Sequence, residues 1–253
     1  PSLLLPKKIT LFGGKLFGYW SSFCLKILYS TSIVIKGQEN IINNENFFIA
    51  CSHQSMFETF FLQTIFNSPK FILKYELLKI PVFGWYLSKI GSISVNRNKI
   101  SKDNIGLIDK IKNAVITSDR PIIIFPQGTR VLPDDKVPFK KGVGKIYEQL
   151  KIECLPLAIN SGVVWPKTGK KKSDKEIIVS ILSPIKLGHD KETFLKILEN
   201  ANGKKMKTTS IEKENSAGMT IDERGEAPRH HSSMSDLQCG SDKKILPPVC
   251  IAT

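Results

Sequence analysis

The sequence predicts an α/β fold: a largely parallel central sheet flanked by helices, with an apolar N-terminal helical segment and a disordered C-terminal tail. Three observations carry this. Short β-branched or aromatic runs alternate with stretches of helical period along residues 46–199. Several of those runs, such as Pro121-Ile-Ile-Ile-Phe125, are apolar throughout; this marks strands buried on both faces, as in parallel sheets. Thr208 to Asp242 is rich in Ser, Glu, Gly and charge and poor in branched apolar residues, a composition that does not support a packed core.

Residues 11–35 are apolar and aromatic, with Phe12, Phe17, Tyr19, Trp20 and Phe23 interrupted by Lys15 and Lys26. Two readings stand for a helix there: one resting on a bilayer interface with Tyr19 and Trp20 as anchors, or one packing into the core. The chain opens on Pro1 instead of Met, so it is expected to be a fragment. Leu3-Leu4-Leu5 before Lys7-Lys8 reads either as the trailing edge of a membrane segment or as a plain loop. Strands are expected at 46–51, 70–74, 92–95, 121–125, 154–159 and 176–182. Helices are expected at 56–66, 101–117, 142–150 and 190–199, and 76–90 reads as two short helical pieces broken by Pro81 and Gly84.

A chain of 253 residues with 41% hydrophobic content suits one domain plus a tail. Its net charge is +14. Residues 201–253 hold eight basic and seven acidic residues, a net of +1, which leaves +13 in residues 1–200. A basic folded part implies an anionic partner: nucleic acid, an acidic membrane surface or a phosphorylated substrate. The aromatic residues sit in apolar runs instead of among the basic ones, and no nucleic-acid motif is present, so a nucleic-acid binder is disfavoured. The five cysteines form neither a C-x-x-C pair nor a zinc pattern; Cys51 and Cys154 read as buried thiols.

The chain is organised around Cys51-Ser52-His53-Gln54-Ser55-Met56-Phe57-Glu58, where an apolar strand meets an aromatic helix. Of the four histidines, His53 alone lies at such a junction. On one continuous helix, residues five apart point about 140° apart. With His53 in the turn and Glu58 in the first helical turn, the carboxylate can hold one imidazole nitrogen and leave the other as a general base. Ser55 is a good N-cap, and Ser55-x-x-Glu58 also reads as a capping box in which Glu58 serves the backbone. Both readings remain open on these residues.

A second block, Phe125-Pro126-Gln127-Gly128-Thr129-Arg130, follows the Ile-rich strand. Ligands of open α/β sheets bind beyond the carboxyl ends of strands. Gly128 frees the backbone to turn or approach a ligand, and Arg130 offers a planar fork for phosphate; the alternative is a strand-end turn with a solvated arginine. Lys136, Lys140 and Lys141 add charge nearby.

Taken in order, His53-x-x-x-x-Glu58, Lys74 to Trp85 with Arg97 beyond, Phe125–Arg130, and Leu155-Pro156-Leu157-Ala-Ile-Asn160-Ser161-Gly162 resemble the glycerolipid acyltransferase superfamily. The resemblance is to its PlsC-type 1-acyl-sn-glycerol-3-phosphate acyltransferases and covers about residues 35–190. Two positions depart from the family pattern: Glu58 stands where an Asp is usual, and Gln127 where a Glu is usual. The resemblance implies transfer of a fatty acyl group from a thioester on coenzyme A or acyl carrier protein to the 2-hydroxyl of lysophosphatidic acid, giving phosphatidic acid. It implies His53 as base and Glu58 as its orienting acid. Arg130, Gly128 and Thr129 would sit at the acceptor phosphate, with Arg97 and Lys74 as weaker candidates; Gln127, Pro126 and Pro156 would support the motifs. No bound cofactor and no metal are implied. The expected setting is the cytoplasmic face of a bacterial cell membrane, against anionic lipid. The expected organisation is a membrane-associating segment at 1–35, an acyltransferase domain at 36–200 and a disordered tail at 201–253. Glycerol-3-phosphate or another lysolipid as acceptor, and an inactive lipid-binding relative, are the rival expectations.

Overall fold

The computed structural model describes residues 5–41, 46–95, 106–117, 120–132, 135 and 137–203. Seven strands form one sheet: β1 (Ser32–Lys36), β2 (Phe47–Cys51), β3 (Lys70–Lys74), β4 (Ile93–Val95), β5 (Ile122–Ile124), β6 (Glu153–Ile159) and β7 (Glu176–Ile181). Their spatial order is β1-β7-β6-β2-β5-β3-β4. The β6–β7 pair is antiparallel and the other pairings among these strands are parallel. The α/β class and the largely parallel sheet expected from the sequence are what the structure has.

β2 shows why the runs are apolar throughout. All five of its residues are buried. Its side chains alternate between faces, so Phe47, Ile49 and Cys51 join one core while Phe48 and Ala50 join the other. Helices α1 (Lys7–Tyr29), α2 (Phe57–Ile65) and α3 (Phe83–Lys89) cover the first face through Leu25, Phe61, Leu62 and Leu87. Helices α4 (Leu107–Ile116), α5 (Lys141–Leu150) and α6 (residues 191–203) cover the second through Ile111, Ile146, Tyr147 and Phe194. The result is three layers, helix, sheet and helix.

α1 packs on its small residues. Its buried positions are Thr10, Gly14, Gly18 and Leu25. A Cβ on Gly18 would stand 2.5 Å from the Phe60 carbonyl oxygen, and one on Gly14 would collide with the Gln63 amide oxygen and the Tyr86 hydroxyl. The two glycines let the α1 backbone lie directly on α2, and the large residues Phe12, Leu16, Trp20, Phe23 and Leu28 are left exposed.

The sequence expectation for residues 11–35 needs one correction. The apolar run is not one helix, because Ser30 takes a left-handed conformation (φ 45°, ψ 39°) that ends α1, and β1 follows, paired with β7 from Ser32↔Glu176 to Lys36↔Ser180. The β-branched Ile33-Val34-Ile35 favours strand over helix there. Other boundaries differ by a few residues at most; the first part of the helix expected at 101–117 lies outside the described residues. No described helix is long and apolar enough to cross a membrane.

Candidate active site

Four neighbouring strands, β6, β2, β5 and β3, end beside one another and deliver the site residues from their carboxyl ends. β2 runs into His53, β5 into Phe125–Arg130, β6 into Ser161 and β3 ends on Lys74.

The two readings of Ser55-x-x-Glu58 turn out to be compatible, because the carboxylate has two oxygens. Glu58 Oε1 accepts the backbone N–H groups of Gln54 and Ser55, both at 2.9 Å, and the Ser161 hydroxyl. Oε2 lies 2.5 Å from His53 Nδ1. The Ser55 hydroxyl accepts from Phe57 N at 3.1 Å, so α2 begins two residues beyond the expected cap. Glu58 is fully buried and His53 is 17% exposed. An ionised carboxylate is acceptor-only, and a neutral imidazole paired with one donates from Nδ1 and leaves Nε2 its lone pair. Phe125 stacks on the imidazole at 4.0 Å between ring centroids, fixing the ring plane.

The second block straps the first. Gln127 Oε1 accepts from His53 N at 3.3 Å, and Val131 N donates to His53 O at 2.8 Å. The His53 peptide unit is thus held from both sides by the loop after β5. Gln127 is buried and faces this backbone. An amide oxygen accepts that bond as a carboxylate oxygen would, so a Gln at this position preserves the strap. Gly128 has φ 71°, a left-handed turn that a side chain would strain, and its N–H donates to Phe125 O at 2.9 Å.

A cavity of about 430 Å³ joins the two blocks, within the size range of ligand pockets. His53, Gly128, Thr129, Arg130 and Lys74 are in its lining, as are the apolar side chains of Phe60, Phe71, Leu73, Phe83, Leu87 and Ile90. Tyr86 donates to Gln63 Oε1 at 3.3 Å in the same lining, and burial pushes its phenol up from the ordinary range. The lining therefore combines cationic and imidazole groups with many apolar side chains, a chemistry suited to an amphipathic ligand.

Of the other expected residues, Pro126 and Pro156 are buried and outside the cavity lining: Pro126 O accepts from Lys140 N at 2.9 Å and Pro156 O from Leu182 N at 2.9 Å. Lys140 and Lys141 are exposed and do not line the cavity. Arg97 and Lys136 lie outside the described residues. Two residues escaped the site assignment from sequence. Ser161, fully buried, reaches Glu58 from the end of β6, and Lys167 lines the cavity. Ser161 sits inside the fourth sequence block, which was a usable signal; Lys167 lies in a lysine-rich loop where no spacing singles it out. Cys51 lies directly behind the site, and burial first, then the negative charge of Glu58, push its thiol well above the ordinary range.

The acyltransferase family model matches residues 32–160, about half of the chain and all four strands that carry the site. The chain belongs to the acyltransferase family. A 1-acyl-sn-glycerol-3-phosphate acyltransferase of Pseudomonas aeruginosa is 31% identical over 165 residues, covering 64% of this chain and 63% of that protein. One of Borreliella burgdorferi is 30% identical over 197 residues, covering 74% and 78%. The crystal structure of the 1-acyl-sn-glycerophosphate acyltransferase PlsC from Thermotoga maritima is similar at a TM-score of 0.66 and 25% identity, covering 81% of each chain. The chain spans 63%, 54% and 56% of the first three relatives' own lengths.

Proposed function

We propose that this acyltransferase-family chain transfers a fatty acyl group from a thioester to the 2-hydroxyl of 1-acyl-sn-glycerol-3-phosphate, forming phosphatidic acid. The observation that carries the reading is the shared cavity: His53, held by the buried Glu58, and Arg130 line one space together with many apolar side chains. His53 Nε2 takes the hydroxyl proton as the alkoxide oxygen attacks the thioester carbonyl. The C–O bond forms, the C–S bond breaks, and the proton passes to the leaving thiolate. Glu58 holds the imidazole in the required tautomer and stabilises the imidazolium. Arg130 grips the acceptor phosphate through its planar fork, with Thr129 and Lys74 beside it, and the turn at Gly128 brings the backbone close. The apolar side chains of the lining receive acyl chain. The donor is an acyl thioester of coenzyme A or of acyl carrier protein.

The same reading places the chain at the cytoplasmic face of a cell membrane, where the acceptor resides. Exposed α1 aromatics and the exposed Val82 and Trp85 supply apolar surface, and the +13 charge of residues 1–200 favours anionic lipid.

The test is acyl transfer to lysophosphatidic acid by wild-type, His53→Ala and Arg130→Ala proteins. His53→Ala is expected to lower kcat about 10²–10⁴-fold, the usual worth of a positioned base. Arg130→Ala is expected to raise the acceptor KM and leave the donor KM near its wild-type value. Undiminished turnover in His53→Ala overturns the reading, and a glycerol-3-phosphate arm separates the rival acceptor.

A further inference from the structure

The segment after the Ser161–Val163 turn carries Lys167, Lys170, Lys171, Lys172 and Lys175 against one carboxylate, Asp174, within nine residues. A lysine run of this kind is commonly a solvated surface loop. Here two features set it apart. Its backbone is pinned: Lys172 N donates to Val164 O at 2.8 Å and Asp174 N donates to Tyr29 O at 2.9 Å. Lys171 is drawn onto aromatic faces, with Nζ 4.3 Å from the Trp165 ring centroid and 5.6 Å from that of Tyr29. The first lysine of the run also lines the cavity that His53 and Arg130 line. A lysine at the cavity is therefore joined in sequence to a backbone-pinned loop on which Lys170, Lys172 and Lys175 are exposed.

One headgroup phosphate is matched by Arg130, Lys74 and Lys167. The other four lysines exceed what it requires, so the loop is matched to a ligand with several negative charges. Its size limits the candidates. A standard protein–protein interface takes about 20–30 residues a side, far more than one nine-residue loop presents. A flexible small molecule with several phosphates needs only clustered ammonium groups, each acting as a point charge.

We propose that residues 167–175 form the binding site for the phosphates of a nucleotide thioester donor, with Lys167 nearest the reacting end and the later lysines on the distal phosphates. This rests on the acyl-transfer reading for its donor class.

The test uses the full chain and a Lys170→Glu/Lys172→Glu/Lys175→Glu variant, with the corresponding triple alanine variant as a second probe. Free coenzyme A binding is measured by titration calorimetry, and initial rates are measured with palmitoyl-coenzyme A. Charge reversal is expected to raise the coenzyme A Kd and the donor KM by about tenfold or more. The acceptor KM should stay within about twofold, and the alanine variant should fall between. Wild-type donor KM should climb with ionic strength, and the variant's much less. Unchanged coenzyme A binding in both variants overturns the proposal. So does a variant that loses only binding to phosphatidylglycerol vesicles, which assigns the loop to lipid, or only rate with acyl carrier protein, which assigns it to a protein donor. Calorimetry needs no turnover, so the outcomes separate. A wild type that binds coenzyme A through this loop but transfers no acyl group defeats the proposed function alone; unaltered donor binding and KM in an active enzyme defeat this site alone.

Discussion

Glu58 joins the site's chemistry to its scaffold because its two oxygens have different tasks. Oε1 takes three donors, from Gln54 N, Ser55 N and the Ser161 hydroxyl, and Oε2 takes His53 Nδ1. A buried carboxylate is tolerable only when such donors replace lost hydration. The Ser161 bond is the one of the three Oε1 contacts a substitution removes cleanly. Ser161→Ala is expected to lower kcat about tenfold, in line with losing one hydrogen bond to a charged group, and to leave the acceptor KM unchanged. A KM rise without a kcat loss, in steady-state kinetics on lysophosphatidic acid, would remove Ser161 from the orienting network. At this scale the sequence told much. The His53–Glu58 spacing named both members of the pair and left their relation open between capping and catalysis. The choice was illegible because a five-residue spacing does not say which carboxylate oxygen faces which donor. Gln127 was legible as part of a motif but not as the acceptor for the His53 N–H, since that bond spans 74 positions.

Among the elements, α1 and α6 show how single positions set packing. The Gly14 and Gly18 notches let α1 approach α2 closely. Gly18→Val places a branched side chain against the Phe60 carbonyl and is expected to cost about 1–3 kcal/mol as overpacking. A thermal melt should show Tm falling by roughly 2–4 °C per kcal/mol for a chain of this size; an unchanged Tm would refute the close contact. α6 is capped by Asp190, whose carboxylate accepts from Glu192 N at 2.9 Å, Thr193 N at 3.0 Å and the Thr193 hydroxyl at 2.6 Å. Those bonds lower its pKa to about 2, below the ordinary aspartate range. A depressed carboxylate stabilises the fold above its unfolded pKa and loses that contribution as protons bind. Asp190→Asn should therefore narrow the wild-type stability advantage between about pH 4 and pH 2 and leave it constant near neutrality; a gap that does not shrink on acidification, followed by denaturant melts, would contradict the assignment. Element types were largely legible, because β2, β5, β6 and β7 are too short and too continuously apolar for surface helices. β1 was missed: it follows α1 after two residues, Ser30 and Thr31, a polar break too short to stand out between two apolar runs. The αL turn at Ser30 that separates them is a backbone choice, with no glycine to announce it.

At the level of the whole molecule, the apolar surface is unevenly placed. Trp20 on α1 and Trp85 on α3 are each 61% exposed, and Phe12, Phe23 and Leu28 on α1 and Val82 before α3 are exposed as well. Large apolar side chains left exposed together on one helix are the surface from which interaction sites are built. Trp20→Glu/Phe23→Glu is expected to weaken co-sedimentation with phosphatidylglycerol vesicles several-fold, the loss of two buried aromatic anchors, with the His53–Glu58 pair untouched. Equal sedimentation of variant and wild type would show that α1 does not meet lipid. The parallel run of β6, β2, β5 and β3 in turn gathers residues from positions 53 to 161 at one rim, which is why the site reads as scattered blocks along the chain. The strap that grips the His53 peptide from Gln127 and Val131 carries one further consequence. The imidazole's seat is fixed by the protein's own backbone bonds, so the base has little freedom left to surrender on the way to the transition state, and the activation entropy of the chemical step should be small.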